Sequence, residues 1–226
     1  MPDHNTPRLF AAVLTACLAL GAGTARASII SSSPSLPPLG VPFSSPTGVG
    51  CFPTAGFCAL PGALIVTSID PDPSKTFFDA SGQHIGGDAA FTGTLTNLSH
   101  VPVGSFSLTG TFEMGVAGRM SDTATGSWNA ELDSLSLTGT VQGGTLTVGL
   151  QSSPSSTGMA SVEPVAGEEG LFRIDSFFDV FVDLNFGSLH ADVGPIRVAL
   201  APEPAGLALL AGPVLGLAML RRRRNA

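Results

Sequence analysis

Phe106-Ser107-Leu108-Thr109-Gly110-Thr111-Phe112-Glu113-Met114 alternates apolar and polar residues without a break. Alternation of period two, with Ser and Thr on the outer face, is the pattern of a half-buried antiparallel strand. The same pattern runs through Phe91-Thr92-Gly93-Thr94-Leu95 upstream and Trp128-Asn129-Ala130-Glu131-Leu132 downstream. At Ser134 the parity slips, and Leu135, Leu137 and Val141 take over the apolar face. Such a slip predicts a bulge or a break. Gly143-Gly144 then predicts a hairpin with a two-residue loop at positive φ, setting Val141 opposite Leu146 and Leu137 opposite Leu150.

Leu171 to Phe186 offers a choice between two periods. Asp175, Asp179 and Asp183 are spaced by four, which on a helix would make an acidic stripe. Yet Phe172, Ile174, Phe178, Val180, Val182, Leu184 and Phe186 share one parity, broken only by Ser176, and Phe and β-branched residues dominate. The strand reading prevails. It spreads the three aspartates over about 26 Å, too far to share one ion. Further strands are expected at Ala63–Ile69, Thr76–Asp79 and Ile196–Leu200, with loops at 151–157 and 163–170. A Leu/Phe-Thr-Gly-Thr motif recurs at residues 91, 108 and 137 without a constant spacing, so it marks similar strands in one sheet and no solenoid. The expected fold is all-β: eight or nine strands over residues 63–201, arranged as an antiparallel β-sandwich or jelly-roll-like domain. Residues 28–62, rich in Pro and Ser, read as an extended and poorly ordered leader. Within it Cys51 and Cys58 flank a loop of turn-forming residues, which predicts a short-loop disulfide in an oxidising compartment.

Between Ser28 and Ala201 the chain has four basic and fifteen acidic residues, a formal charge of −11 that the arginines near the two ends partly mask in the overall −7. A surface of that sign repels nucleic acid and anionic membrane, so neither is an expected partner of the domain. Catalytic motifs are absent: there is no G-x-S-x-G, no P-loop, no G-x-G-x-x-G and no H-E-x-x-H. His84, His100 and His190 are isolated in sequence. Asp70-Pro71-Asp72 lacks the spacing that wraps calcium, and the Gly-rich stretch from Asp79 to Asp88 reads as a tight connection. Lectin-like stacking of sugars is disfavoured by the absence of tyrosine and by Trp128 on the inward parity. No catalytic residue, metal site or cofactor is therefore expected. A carbohydrate-binding module or hydrolase is the alternative, since acids on different strands can meet in space.

The two ends read as targeting segments. Residues 1–27 carry Arg8, an apolar run from Leu9 to Gly23 and Ala25-Arg26-Ala27, a small-residue cleavage site before Ser28. Leu14-Thr15-Ala16-Cys17 offers a competing lipoprotein-type site, and no twin arginine precedes the run, so export through the general secretion machinery is expected. At the other end Pro202-Glu203-Pro204 is followed by the apolar run 205–220 and then by Arg221, Arg222, Arg223 and Arg224. Sixteen helical residues span about 24 Å, close to the bilayer core, and the arginines would remain cytoplasmic. This three-part arrangement resembles the PEP-CTERM sorting signal of Gram-negative exported proteins. The resemblance covers residues 202–226. It implies an exosortase as processing partner, an inner-membrane-anchored intermediate, and a final place at the cell surface or in an extracellular matrix with exopolysaccharide. A permanent C-terminal membrane anchor is the other reading of the same residues.

Overall fold

The computed structural model describes residues 28–45 and 50–201. They form twelve strands: β1 (Ser28–Ser31), β2 (Pro42–Ser44), β3 (Gly50–Phe52), β4 (Phe57–Ile69), β5 (Phe77–Phe78), β6 (Gly82–Asn97), β7 (Pro102–Ala117), β8 (Gly126–Val141), β9 (Gly144–Leu150), β10 (Ser156–Pro164), β11 (Phe172–Phe186) and β12 (Leu189–Leu200). One turn of 3-10 helix, Pro53–Ala55, links β3 to β4.

The strands belong to one antiparallel sheet, and its pairings close into a ring. From β4 the ring runs through β6, β7 and β8, and through β9 and β10 set end to end between β8 and β11. It returns through β11, β12 and β2 to β4. The two packed sheets expected of a sandwich are thus replaced by a barrel-like closed sheet. Both architectures need the same inward–outward alternation; they differ in whether the first strands pair with the last, and local sequence does not carry that.

Several differences from expectation have local causes. β4 starts six residues before Ala63 because Pro61-Gly62 sits at a register shift inside the strand instead of ending it. The Gly-rich stretch after Asp79 is the first half of β6, not a connection. Ser156–Pro164, whose two ends fall in the loops expected at 151–157 and 163–170, is the strand β10. The Pro- and Ser-rich leader contributes β1, β2 and β3, and its Leu36-Pro37-Pro38 is buried. The expected bulge is present: Glu113 faces Ser134 and Met114 faces Leu132, leaving Asp133 as the extra residue.

One apolar cluster fills the ring, with Leu108, Leu137, Leu146, Ile174 and Leu200 almost wholly inaccessible. Each such side chain contributes roughly 2 kcal/mol by leaving water. Opposite ends are closed differently. At one rim Phe52, Phe57 and Phe186 meet with ring centroids 5.0 to 6.0 Å apart. There Cys51 and Cys58 are direct partners across β3 and β4, joined as a disulfide with Cα atoms 4.0 Å apart. At the other rim the leader packs on the barrel through buried Leu36, Pro37 and Pro38 and through Pro34, whose carbonyl accepts from Arg119.

Candidate functional site

A row of cross-strand partners runs over the outside of the sheet: Phe77, His84, Gly115, Glu131, Thr157, Asp179 and Arg197, each opposite the next. Its middle is a groove of about 480 Å³ bordered by Ser81, His84, Asn129, Glu131, Asp133 and Thr157. Gly115 forms the floor: a side chain there would reach Asp133 Oδ2 at 3.5 Å. Asp133 follows Glu131 by two residues and shares its outward face, at the bulge where the parity of β8 changes. Burial against the groove and then Glu131 push the Asp133 carboxyl above the ordinary carboxylate range; His84 pulls it down, and Glu113 adds the smallest push. The groove can offer two neighbouring carboxyls together with amide and hydroxyl groups.

Ser81, His84 and Asp79 lie together at its edge, without the geometry of a nucleophilic relay. Ser81 Oγ is 3.0 Å from His84 Nε2, and Asp79 Oδ2 is 3.4 Å from the same nitrogen. A relay needs the hydroxyl and the orienting carboxylate on opposite ring nitrogens. Ser81 instead donates to Asp79 Oδ1 at 2.6 Å, which with the Ser81 backbone N–H holds Asp79 below its ordinary value. Phe77 stacks on the His84 ring with centroids 4.5 Å apart.

His190, isolated in sequence, gains partners from the β11–β12 hairpin. Its Nδ1 lies 2.8 Å from Asp183 Oδ1 and its Nε2 lies 3.3 Å from Asp192 Oδ1. These three residues have the composition of a minimal cation site, with ligand atoms within 4.8 Å of one another. The simpler account is that the imidazole separates two carboxylates that β-pairing places face to face. Asp179, expected on a solvated face, accepts two hydrogen bonds from Arg197 at 2.8 and 2.6 Å, which lower its pKa.

Inside the leader rim sits Arg119, fully buried. Its guanidinium donates to the Gln83 side chain, to the Pro34 carbonyl at 2.8 Å and to the Asp122 carbonyl at 2.7 Å, and lies 5.4 Å from the Trp128 ring centroid. Gln83 in turn donates to Asp122 Oδ1 at 3.1 Å. Burial lowers the Arg119 pKa, opposed by Asp122. This network ties the leader to the barrel.

Among the described residues the interior offers no comparable site. Its cavity of about 60 Å³ is lined by apolar residues such as Leu64, Phe91, Leu137, Val182 and Ile196. That space suits no more than one or two water molecules, and an apolar lining keeps it dry. Of the residues singled out by sequence, Cys51 and Cys58 are brought together and Ser28 opens β1 opposite Asp175. Ala25, Ala27, Pro202, Glu203, Pro204 and Arg221 to Arg224 lie outside the described residues. Sequence reasoning missed the groove because its acids, Glu131 and Asp133 of β8, read as an ordinary outer face until His84 of β6 and Thr157 of β10 are placed beside them. Comparison with family models, curated proteins and solved structures finds no match to this chain.

Proposed function

We propose that the chain is an exported, non-catalytic cell-surface or extracellular-matrix protein, delivered by the targeting segments at its two ends. The observation supporting this reading is the self-sealed barrel. Among the described residues its interior cavity holds only about 60 Å³, a cross-strand disulfide staples one rim, and Leu36, Pro37 and Pro38 of its leader are buried at the other. A sealed, acidic, disulfide-bearing body suits a structural role outside the cytoplasm. In this reading general secretion exports the chain, cleavage precedes Ser28, and exosortase processing near Pro204 releases the barrel from its membrane-anchored intermediate toward exopolysaccharide. The test is the intact mass and terminal peptides of the protein from its native host and from a strain lacking exosortase. A species from Ser28 to near Pro204, lost in the mutant strain, is expected. A species still ending at Ala226 in both strains overturns the sorting reading in favour of a permanently anchored periplasmic protein.

A second reading, a carbohydrate-binding module or hydrolase, is favoured by the outer groove with Asp133 and Glu131. A polysaccharide whose binding or cleavage is lost in Asp133→Asn would support it. An unchanged response would remove the groove from the account.

A further inference from the structure

The outer groove exists because one side chain is missing from its row. Gly115 of β7 stands there between His84 of β6 and Glu131 of β8. It does not adopt a positive φ, and a Cβ added to it would meet only Asp133 Oδ2, at 3.5 Å. The backbone would thus accept another residue, and glycine keeps the space open. The resulting opening, about 480 Å³, crosses three inter-strand spacings between His84 and Thr157, about 14 Å. It is a trough for an extended chain lying across the strands. No large apolar side chain faces outward along it, so nothing there grips the apolar residues of a peptide.

The charge in the trough has one sign. Glu131 and Asp133 share one face of β8, roughly 7 Å apart along the strand, and neither lysine nor arginine borders them. The basic residues of the described chain are engaged elsewhere. Lys75 pairs with Glu113 and Arg197 with Asp179, Arg119 is held by carbonyls inside the leader rim, and Arg173 lies opposite Glu163. The raised Asp133 carboxyl reflects the same imbalance, since burial and Glu131 both disfavour its ionised form. A surface of this sign repels an anionic polymer, and a neutral one gains little from the two carboxyls. An ammonium group between them would form charge-assisted hydrogen bonds with both. Asn129 and Thr157, at the margin, offer the amide and hydroxyl that sugar hydroxyls need.

We infer that the outer groove takes a polysaccharide bearing free amines, with the ammonium of one amino sugar held between Glu131 and Asp133 and neighbouring hydroxyls on Asn129 and Thr157. This inference rests on the carbohydrate reading of the groove and adds to it the charge of the ligand.

The test uses the full chain in nanodiscs of phosphatidylcholine, which bears no net charge, titrated calorimetrically at about pH 6, where amines are protonated. The probes are β-1,4-linked tetramers of glucosamine, of N-acetylglucosamine and of glucose. The glucosamine tetramer is expected to bind about tenfold more tightly than the other two, the scale of a charge-assisted hydrogen bond. Gly115→Leu fills the trough without changing the charge, and Glu131→Gln removes one carboxylate. Each should weaken that binding about tenfold, with a urea midpoint like that of the parent protein. Equal binding of all three sugars, lost in Gly115→Leu, overturns the inference and leaves the carbohydrate reading standing. Glucosamine binding that survives Gly115→Leu is general attraction to an acidic surface and overturns the inference, as does tetralysine binding equally well through the same groove. No binding by any sugar overturns the inference and the carbohydrate reading together.

Discussion

Asp133 and Arg119 are both ionisable groups partly or wholly withdrawn from water, and they respond oppositely to replacement. With its carboxyl pushed up in the fold, Asp133 favours the protonated form. It costs nothing below the ordinary carboxylate range, and stability is lost as pH rises through the raised value. Asp133→Asn is therefore expected to be neutral near pH 3 and stabilising at pH 7, as measured by urea unfolding at the two values. A destabilised variant at pH 7 would show that the ionised carboxylate is needed. Arg119 has the reverse dependence on its surroundings, because carbonyls and Gln83 are built around it. Arg119→Ala empties that space and strands the Pro34 and Asp122 carbonyls, costing roughly 3 kcal/mol in the same assay. Proteolysis within residues 32–41 should accelerate with it. The bulge at Asp133 was legible as a slip in parity. Arg119 was not, because a cation with no local pattern reads as surface until the strands around it are placed.

For the strands, the recurring Thr-Gly-Thr is explained by crowding. A Cβ on Gly110 would lie 1.9 Å from the Ser136 carbonyl oxygen, and one on Gly93 would lie 2.3 Å from the Phe106 ring. At these inward positions neighbouring strands approach too closely for any side chain, which lets the sheet curl. Gly110→Ala is expected to cost about 1–3 kcal/mol, because a backbone oxygen cannot swing aside. A loss below 0.5 kcal/mol in urea titration, on the scale of ordinary surface changes, would deny the crowding. The β8–β9 hairpin shows where sequence reading stops. Its loop is Gln142-Gly143, both at positive φ, so Val141 faces Gly144 and Leu137 faces Val148. The expected register differed by two residues, a slip that leaves every side chain on its proper face and so is invisible to the apolar pattern. Gly144 serves the core: a Cβ there would lie 2.5 Å from the Phe186 ring. The disulfide closes a short loop, and reducing it should cost about 2 kcal/mol by the chain-entropy estimate. A reduced protein with an unchanged urea midpoint would mean that the aromatic trio alone holds this rim.

At the scale of the molecule, the ring closes only when β2 meets both β4 and the final residues of β12. That pairing spans nearly the whole described chain, so folding should be slow, on the millisecond-to-second scale. A chain ending at Phe186, without β12, is expected to lose its cooperative unfolding transition; one that still melts sharply would show that closure is dispensable. The strands were legible from their alternation, and closure was not, because pairing between distant segments leaves no mark on either one alone. Closure also fixes where the chain leaves the barrel. Ala201 lies at the leader rim, whereas the β6–β7 turn, with exposed Leu98, Val101 and Val103, lies at the rim shared with the disulfide. Whatever grips the chain beyond Ala201 therefore holds the barrel as a hand holds a lantern, with the turn from Asn97 to Val101 at its far end. An antibody or a bulky label directed at that turn would meet no obstruction from the support, while one directed at Leu39 would have to work in its shadow.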